Sequence, residues 1–116
     1  MSQPTFTVSD VEFPAPHGPA RLVRIDIPGG VTSPAEFAEA VAGQSHLFVA
    51  PGRGVVFSGR APVWGFAMLC HIAHPSPWIA TIDPRLRGAV IVQTHHEGVL
   101  LGSLLQHHHL ESLLGG

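Results

Sequence analysis

Residues 54–94 read GVVFSGRAPVWGFAMLCHIAHPSPWIATIDPRLRGAVIVQT, and this stretch decides the fold. GVVFSG at 54–59 is a short apolar run closed by Ser-Gly, the pattern of a buried strand. Pro62 suits a helix start, apolar residues fill roughly 63–73, and Pro75 forbids continuation. WIATI at 78–82 and GAVIVQT at 88–94 are rich in β-branched residues and flank the turn sequence DPRLR, which predicts two strands joined through that turn.

Outward from this stretch the pattern continues on both sides. TFTVSDVEF at 5–13 alternates as a half-buried strand does, and PAPHGP marks a turn. ARLVRIDIP at 20–28 alternates again, with Leu22, Arg24 and Asp26 on one side and Val23, Ile25 and Ile27 on the other, so the two runs predict a hairpin. Ser33-Pro34-Ala35-Glu36 combines an N-cap serine, a proline at the first helical position and an acidic first turn. Phe37, Ala40 and Val41 then recur at helical spacing before Gly43 stops the helix. A last short strand is expected near 98–103, and the tail, about 104–116, reads as helical or frayed. The order β-β-α-β-α-β-β predicts an α+β domain: a mixed sheet with two helices on one face, close to a ferredoxin-like layout.

Composition bounds the function. A chain of 116 residues has room for a single domain, with no fused second unit expected. Charged residues are only 12%, against about 25% in ordinary soluble domains, which suggests that some surface is covered by a second copy. The formal net charge of −2 gives no basic field for long nucleic acid, and DNA is not an expected partner. All six cations are Arg; guanidinium forks suit phosphate, although a codon bias against Lys would leave the same composition. The single Cys70 excludes an internal disulfide and fits a reducing cytoplasm. No leader, lipidation motif or membrane-spanning run is evident.

The chemistry-bearing residues cluster between Ser58 and His96. His71 and His74 are three apart, which on a helix places both imidazoles on one face, where they can hold a transition metal or act as base and orienter. The plainer alternative is a histidine capping the helix C-terminus. Asp83-Pro84-Arg85 ends a strand. It reads either as a simple turn or as a carboxylate–guanidinium couple, in which Arg85 clamps a phosphate and Asp83 ligates a metal or receives a ribose hydroxyl. A hairpin would bring His95, or His96 as fallback, alongside that turn. Ser58-Gly59-Arg60 is a strand-to-helix link where backbone can approach an anion, or an ordinary turn. His107, His108 and His109 read as an exposed segment able to take up stray metal, and Trp64 and Trp78 as core or interface anchors. Together these residues point to a site that handles a phosphodiester.

The run GRAPVWGFAMLCHIAHPSPWIATIDPRLRGAVIVQTH resembles the signature of the CRISPR-associated Csx-three family, also called CRISPR ring nuclease three. The matching motifs are GR-x-P-x-W leading into the helix, H-x-x-H-P with a Trp shortly after, and D-P-R-L-x-G-A-V-V with a terminal His; weaker similarity covers GGVTSPAEFAEAV. The chain departs from the family in lacking Lys, in Arg87 where a small residue is common, and in its His-rich tail. The resemblance implies a type III CRISPR ring nuclease that cleaves cyclic tetra-adenylate. It also implies a homodimer that pairs into a tetramer or filament around the ring, a composite site and Mn2+ support. Carried over by position, His74, Asp83 and Arg85 are the main catalytic candidates, with His71 and His95 in support. His74 and Asp83 are the candidate metal ligands, and Ser58, Gly59 and Arg60 would lie near the ring. A manganese-dependent exonuclease on adenylated 3′ ends of linear RNA and a non-catalytic binder of the ring are the alternatives.

Overall fold

In the computed structural model, which describes residues 2–114, each strand pairs with its neighbours in the chain. The strands are β1 (Thr5–Glu12), β2 (Pro19–Asp26), β3 (Gly54–Gly59), β4 (Trp78–Asp83), β5 (Gly88–Thr94) and the two-residue β6 (Leu104–Leu105), in the order β1-β2-β3-β4-β5-β6. β1 is antiparallel to β2, β2, β3 and β4 run parallel, and β5 and β6 return to antiparallel pairing. The α+β class and mixed sheet agree with the sequence reading. The sequential strand order differs from the interleaved order of a ferredoxin-like sheet.

The helices α1 (Pro34–Gly43) and α2 (Val63–Ile72) are the crossovers of the two parallel pairs. Two crossovers of one hand between strands laid down in sequence fall on the same face, and both helices do so. Ser33 caps α1 by accepting the Glu36 N–H at 3.1 Å, and Pro34 opens the first turn. Phe37 and Val41 of α1 and Leu69 of α2 pack with Val23, Ile25, Val55, Phe57 and Ile79 from the sheet. α2 opens after Pro62 and ends at Ile72, with Ala73 as its C-cap.

The alternate residues of the same strands form a second core on the opposite face. Leu22, Val56, Trp78, Ala80, Ala89 and Ile91 meet Phe13, Val99, Leu105 and Leu110 there. Trp78 lies flat over Gly54, where a Cβ would stand 2.0 Å from the indole, and its Nε1 donates to the His17 carbonyl at 3.1 Å. The described part of the tail is ordered: a 3-10 turn (His108–Leu110) leads into α3 (Glu111–Leu114), and Leu110 is fully buried. Gly115 and Gly116, the last of the segment read as helical or frayed, lie outside the described residues, as does Met1.

The strand expected near 98–103 is a pair of turns. Val99 N–H donates to His96 O, Gly102 N–H to Ile91 O and Ser103 N–H to Leu100 O, and Gly102 sits at φ +82°. Its apolar letters mislead because Val99 alone is buried, while Leu100 and Leu101 are exposed.

Candidate functional site

Because β2, β3 and β4 are parallel, their C-terminal ends share one rim of the sheet, and this is where ligands of such sheets commonly lie. Arg24 and Asp26 stand at the end of β2, Ser58, Gly59 and Arg60 at the end of β3, and Asp83 at the end of β4. A cleft of about 640 Å³ on this rim is lined by Arg24, Asp26, Ser58, Arg60 and Pro84, with Leu113 of α3 as part of its wall. Ser58 is buried, and its Oγ has no hydrogen-bond partner among the described residues. Gly59 has φ +114°, and a Cβ there would lie 2.2 Å from the Ile25 carbonyl oxygen, so β2 and β3 approach too closely for any side chain.

The Asp83-Pro84-Arg85 segment is a turn and a carboxylate–guanidinium couple at once. Leu86 N–H donates to Asp83 O at 3.1 Å, with proline at the second turn position, and Arg87 closes the loop at φ +53°. The Asp83 carboxylate accepts the Arg85 N–H at 3.0 Å and the guanidinium Nε and Nη2 at 3.4 and 3.3 Å. The Arg85 guanidinium holds the Asp83 carboxyl below its usual range, and Asp83 raises Arg85 in return. Arg85 is 90% exposed, so the pair is screened by solvent and little of the fold depends on it.

The imidazoles lie on the opposite rim. α2 runs back across the sheet, so His71 in its last turn, His74 beyond it and His95 after β5 all fall near the start of β4. His74 stands outside the helix, so the pairing of His71 and His74 on one helix face does not form; its partner is His95, with ring centroids 5.1 Å apart. His95 Nε2 donates to His74 O at 3.1 Å. The Gln93 amide donates to His74 Nδ1 and to His74 O, which places the proton of a neutral His74 ring on Nε2. His71 is exposed.

Gln93 pairs with Ile79, four residues before Asp83, so the two groups are roughly 13 Å apart at about 3.3 Å per residue. One copy therefore does not bring His74 and Asp83 onto a common metal ion, and the expected meeting of His95 with the Asp83 turn is corrected. The reason is register: a strand's length separates the two ends of a hairpin. Gln93 and Arg24 were not singled out from sequence. Arg24 carried a signal, a charge alternating with apolar residues in β2, whereas Gln93 had none.

A family model for CRISPR-associated proteins, Cas_csx3, matches residues 45–106, from before β3 to just past β6. The chain belongs to this family. The Cas_csx3 match takes in Ser58–Arg60, His71, His74, Asp83–Arg85 and His95, and leaves Arg24 and the His107–His109 tail outside. An uncharacterized protein of Aquifex aeolicus (strain VF5) is 40% identical over 52 residues, 45% of this chain and 47% of that protein. The chain thus spans about half the length of the curated relative it matches. Among the described residues of this Cas_csx3 member, no helix is long and apolar enough to cross a membrane.

Proposed function

We propose that this CRISPR-associated protein is a ring nuclease that opens cyclic tetra-adenylate, with a site completed between copies. The observation that carries the reading is the rim on which Arg24, Arg60 and Arg85 end three adjacent strands beside the unpartnered Ser58 hydroxyl. A net negative chain has only six Arg and no Lys, and these three, with Arg87 in the same turn as Arg85, make a local anion site suited to a compact, four-phosphate ligand. The imidazoles on the far rim are open to solvent, so a second copy can present them to the same ring.

The substrate supplies its own nucleophile. A ribose 2′-oxygen attacks the adjacent phosphorus, the P–O5′ bond breaks, and a linear adenylate with a 2′,3′-cyclic phosphate results. His95 is the base: its Nε2–H is spent on the His74 carbonyl, which leaves Nδ1 to take the 2′-hydroxyl proton. His74 donates from Nε2 to the phosphoryl group, and Arg85 with Arg60 holds the charge developing on its oxygens. The leaving 5′-oxygen takes a proton from water.

Manganese prefers oxygen donors. The Asp83 carboxylate is already engaged by Arg85, and His74 is on the other rim, so these two residues make no manganese site within one copy. No step above requires the ion.

The test is cleavage of cyclic tetra-adenylate, cyclic hexa-adenylate and linear oligoadenylate, with and without manganese, with the products resolved. Faster opening of the four-membered ring than trimming of the linear RNA is expected. The reverse order would make the protein an exonuclease, and tight binding without turnover a sink for the ring.

A further inference from the structure

The three consecutive imidazoles of the tail converge. His107, His108 and His109 each offer a ring nitrogen within 4.8 Å of the others, and their ring centroids are 4.1, 4.5 and 4.5 Å apart. Among the described residues this is the one group of three metal-ligating side chains gathered so closely. We infer that His107–His109 form a binding site for a borderline transition metal such as Zn2+ or Ni2+, separate from both rims of the candidate nuclease site.

Three features make the cluster more than a solvated run of His. His107 is extended (φ −163°, ψ 150°) while His108 and His109 start the 3-10 turn, and this change of backbone direction lets neighbours in sequence face a common point. Two of the rings are held from behind by Phe13, edge to face at 5.3 Å for His107 and 5.8 Å for His109. The fully buried Leu110 anchors the following turn in the second core. The ligands are thus largely preorganised, while His108 stays exposed and gives an ion its way in.

The donor set selects the metal. Three neutral imidazoles with water completing the shell suit zinc, nickel or copper, whereas magnesium and manganese favour oxygen. No carboxylate forms an ion pair with these rings among the described residues, so the ring nitrogens themselves are the donors that a cation would meet. One contact opposes binding: the His109 N–H donates to His107 Nδ1 at 3.1 Å. A metal must take that nitrogen from the N–H, or take Nε2 after the ring proton moves.

A bound ion would fix the segment that leads directly into α3, whose Leu113 walls the Arg24–Arg60 cleft. Calorimetric titration of Zn2+ into the full chain tests the assignment, alongside His108→Ala and the double variant His74→Ala/His95→Ala. One zinc per chain is expected in the wild type and in the double variant, with affinity at least about tenfold weaker in His108→Ala. Zinc should also raise the melting temperature of the wild type and leave that of His108→Ala unchanged. Melting of each metal-free variant at the wild-type temperature confirms an intact fold, as expected for an exposed ring. Equal affinity in wild type and His108→Ala, loss confined to the His74→Ala/His95→Ala variant, or no zinc uptake by the wild type would each overturn the inference.

Discussion

At Gly59 the chain tolerates no side chain: a Cβ would meet the Ile25 carbonyl at 2.2 Å, at a φ that L residues rarely adopt. Gly59→Ala should lower stability by about 2 kcal/mol or more, seen as a lower urea midpoint with unchanged slope. On the ring-nuclease reading, Gln93 is a positioning residue for His74. Gln93→Leu removes the donor that fixes the imidazole tautomer, so turnover of cyclic tetra-adenylate should fall while its binding, proposed for the Arg rim, changes little. His17 gives a pH signature. Burial beside Trp78, then the charge of His96, holds its imidazole below the ordinary 6.5. With the folded-state value the lower one, the unfolded chain takes up the proton first. Stability from this group is complete above about pH 6.5 and is lost as pH falls through the folded value. His17→Gln should flatten the decline of the urea midpoint between about pH 7 and pH 5. At this scale sequence told which residue types carry chemistry but not which of them meet. Asp83 and Arg85 were legible as a pair because two residues cannot be far apart, whereas the His74–Gln93 contact spans nineteen positions.

Elements were read more securely than contacts. α1 announced itself through Ser33, Pro34 and Glu36, and the cap bond at Ser33 is the physical form of that signal. β4 and β5 followed from β-branched runs on either side of DPRLR, and that turn encodes its own geometry through Pro84 and the Asp83 side chain. The segment near 98–103 misled because apolar letters say nothing about what covers them, and the helical-or-frayed reading of 104–116 left open what the tail packs against. The second face of the sheet needed a cover, and the tail supplies it with Leu110. Leu110→Ala should therefore cost about 2–5 kcal/mol, far more than a frayed tail would allow, and a thermal melt reads it directly.

Across the whole molecule, the separation of the Arg rim from the imidazole rim makes a sharper prediction than any single substitution. On the ring-nuclease reading, His74→Ala and Arg85→Ala should each be nearly inactive alone. If one ring draws its two halves from different copies, an equal mixture regains a fraction on the order of a quarter of wild-type turnover, the statistical share of sites with both halves intact. A mixture as inactive as its components would mean that each copy acts alone. The order β1-β2-β3-β4-β5-β6 has a consequence in time as well as in space. Each strand docks on the one made just before it, so most loop closures are short, and refolding should be faster than in sheets with interleaved strands of the same size. The long closure is the tail, which sets His107 and His109 against Phe13. It should come last, so changes at Leu110 would speed unfolding and leave the refolding rate nearly untouched.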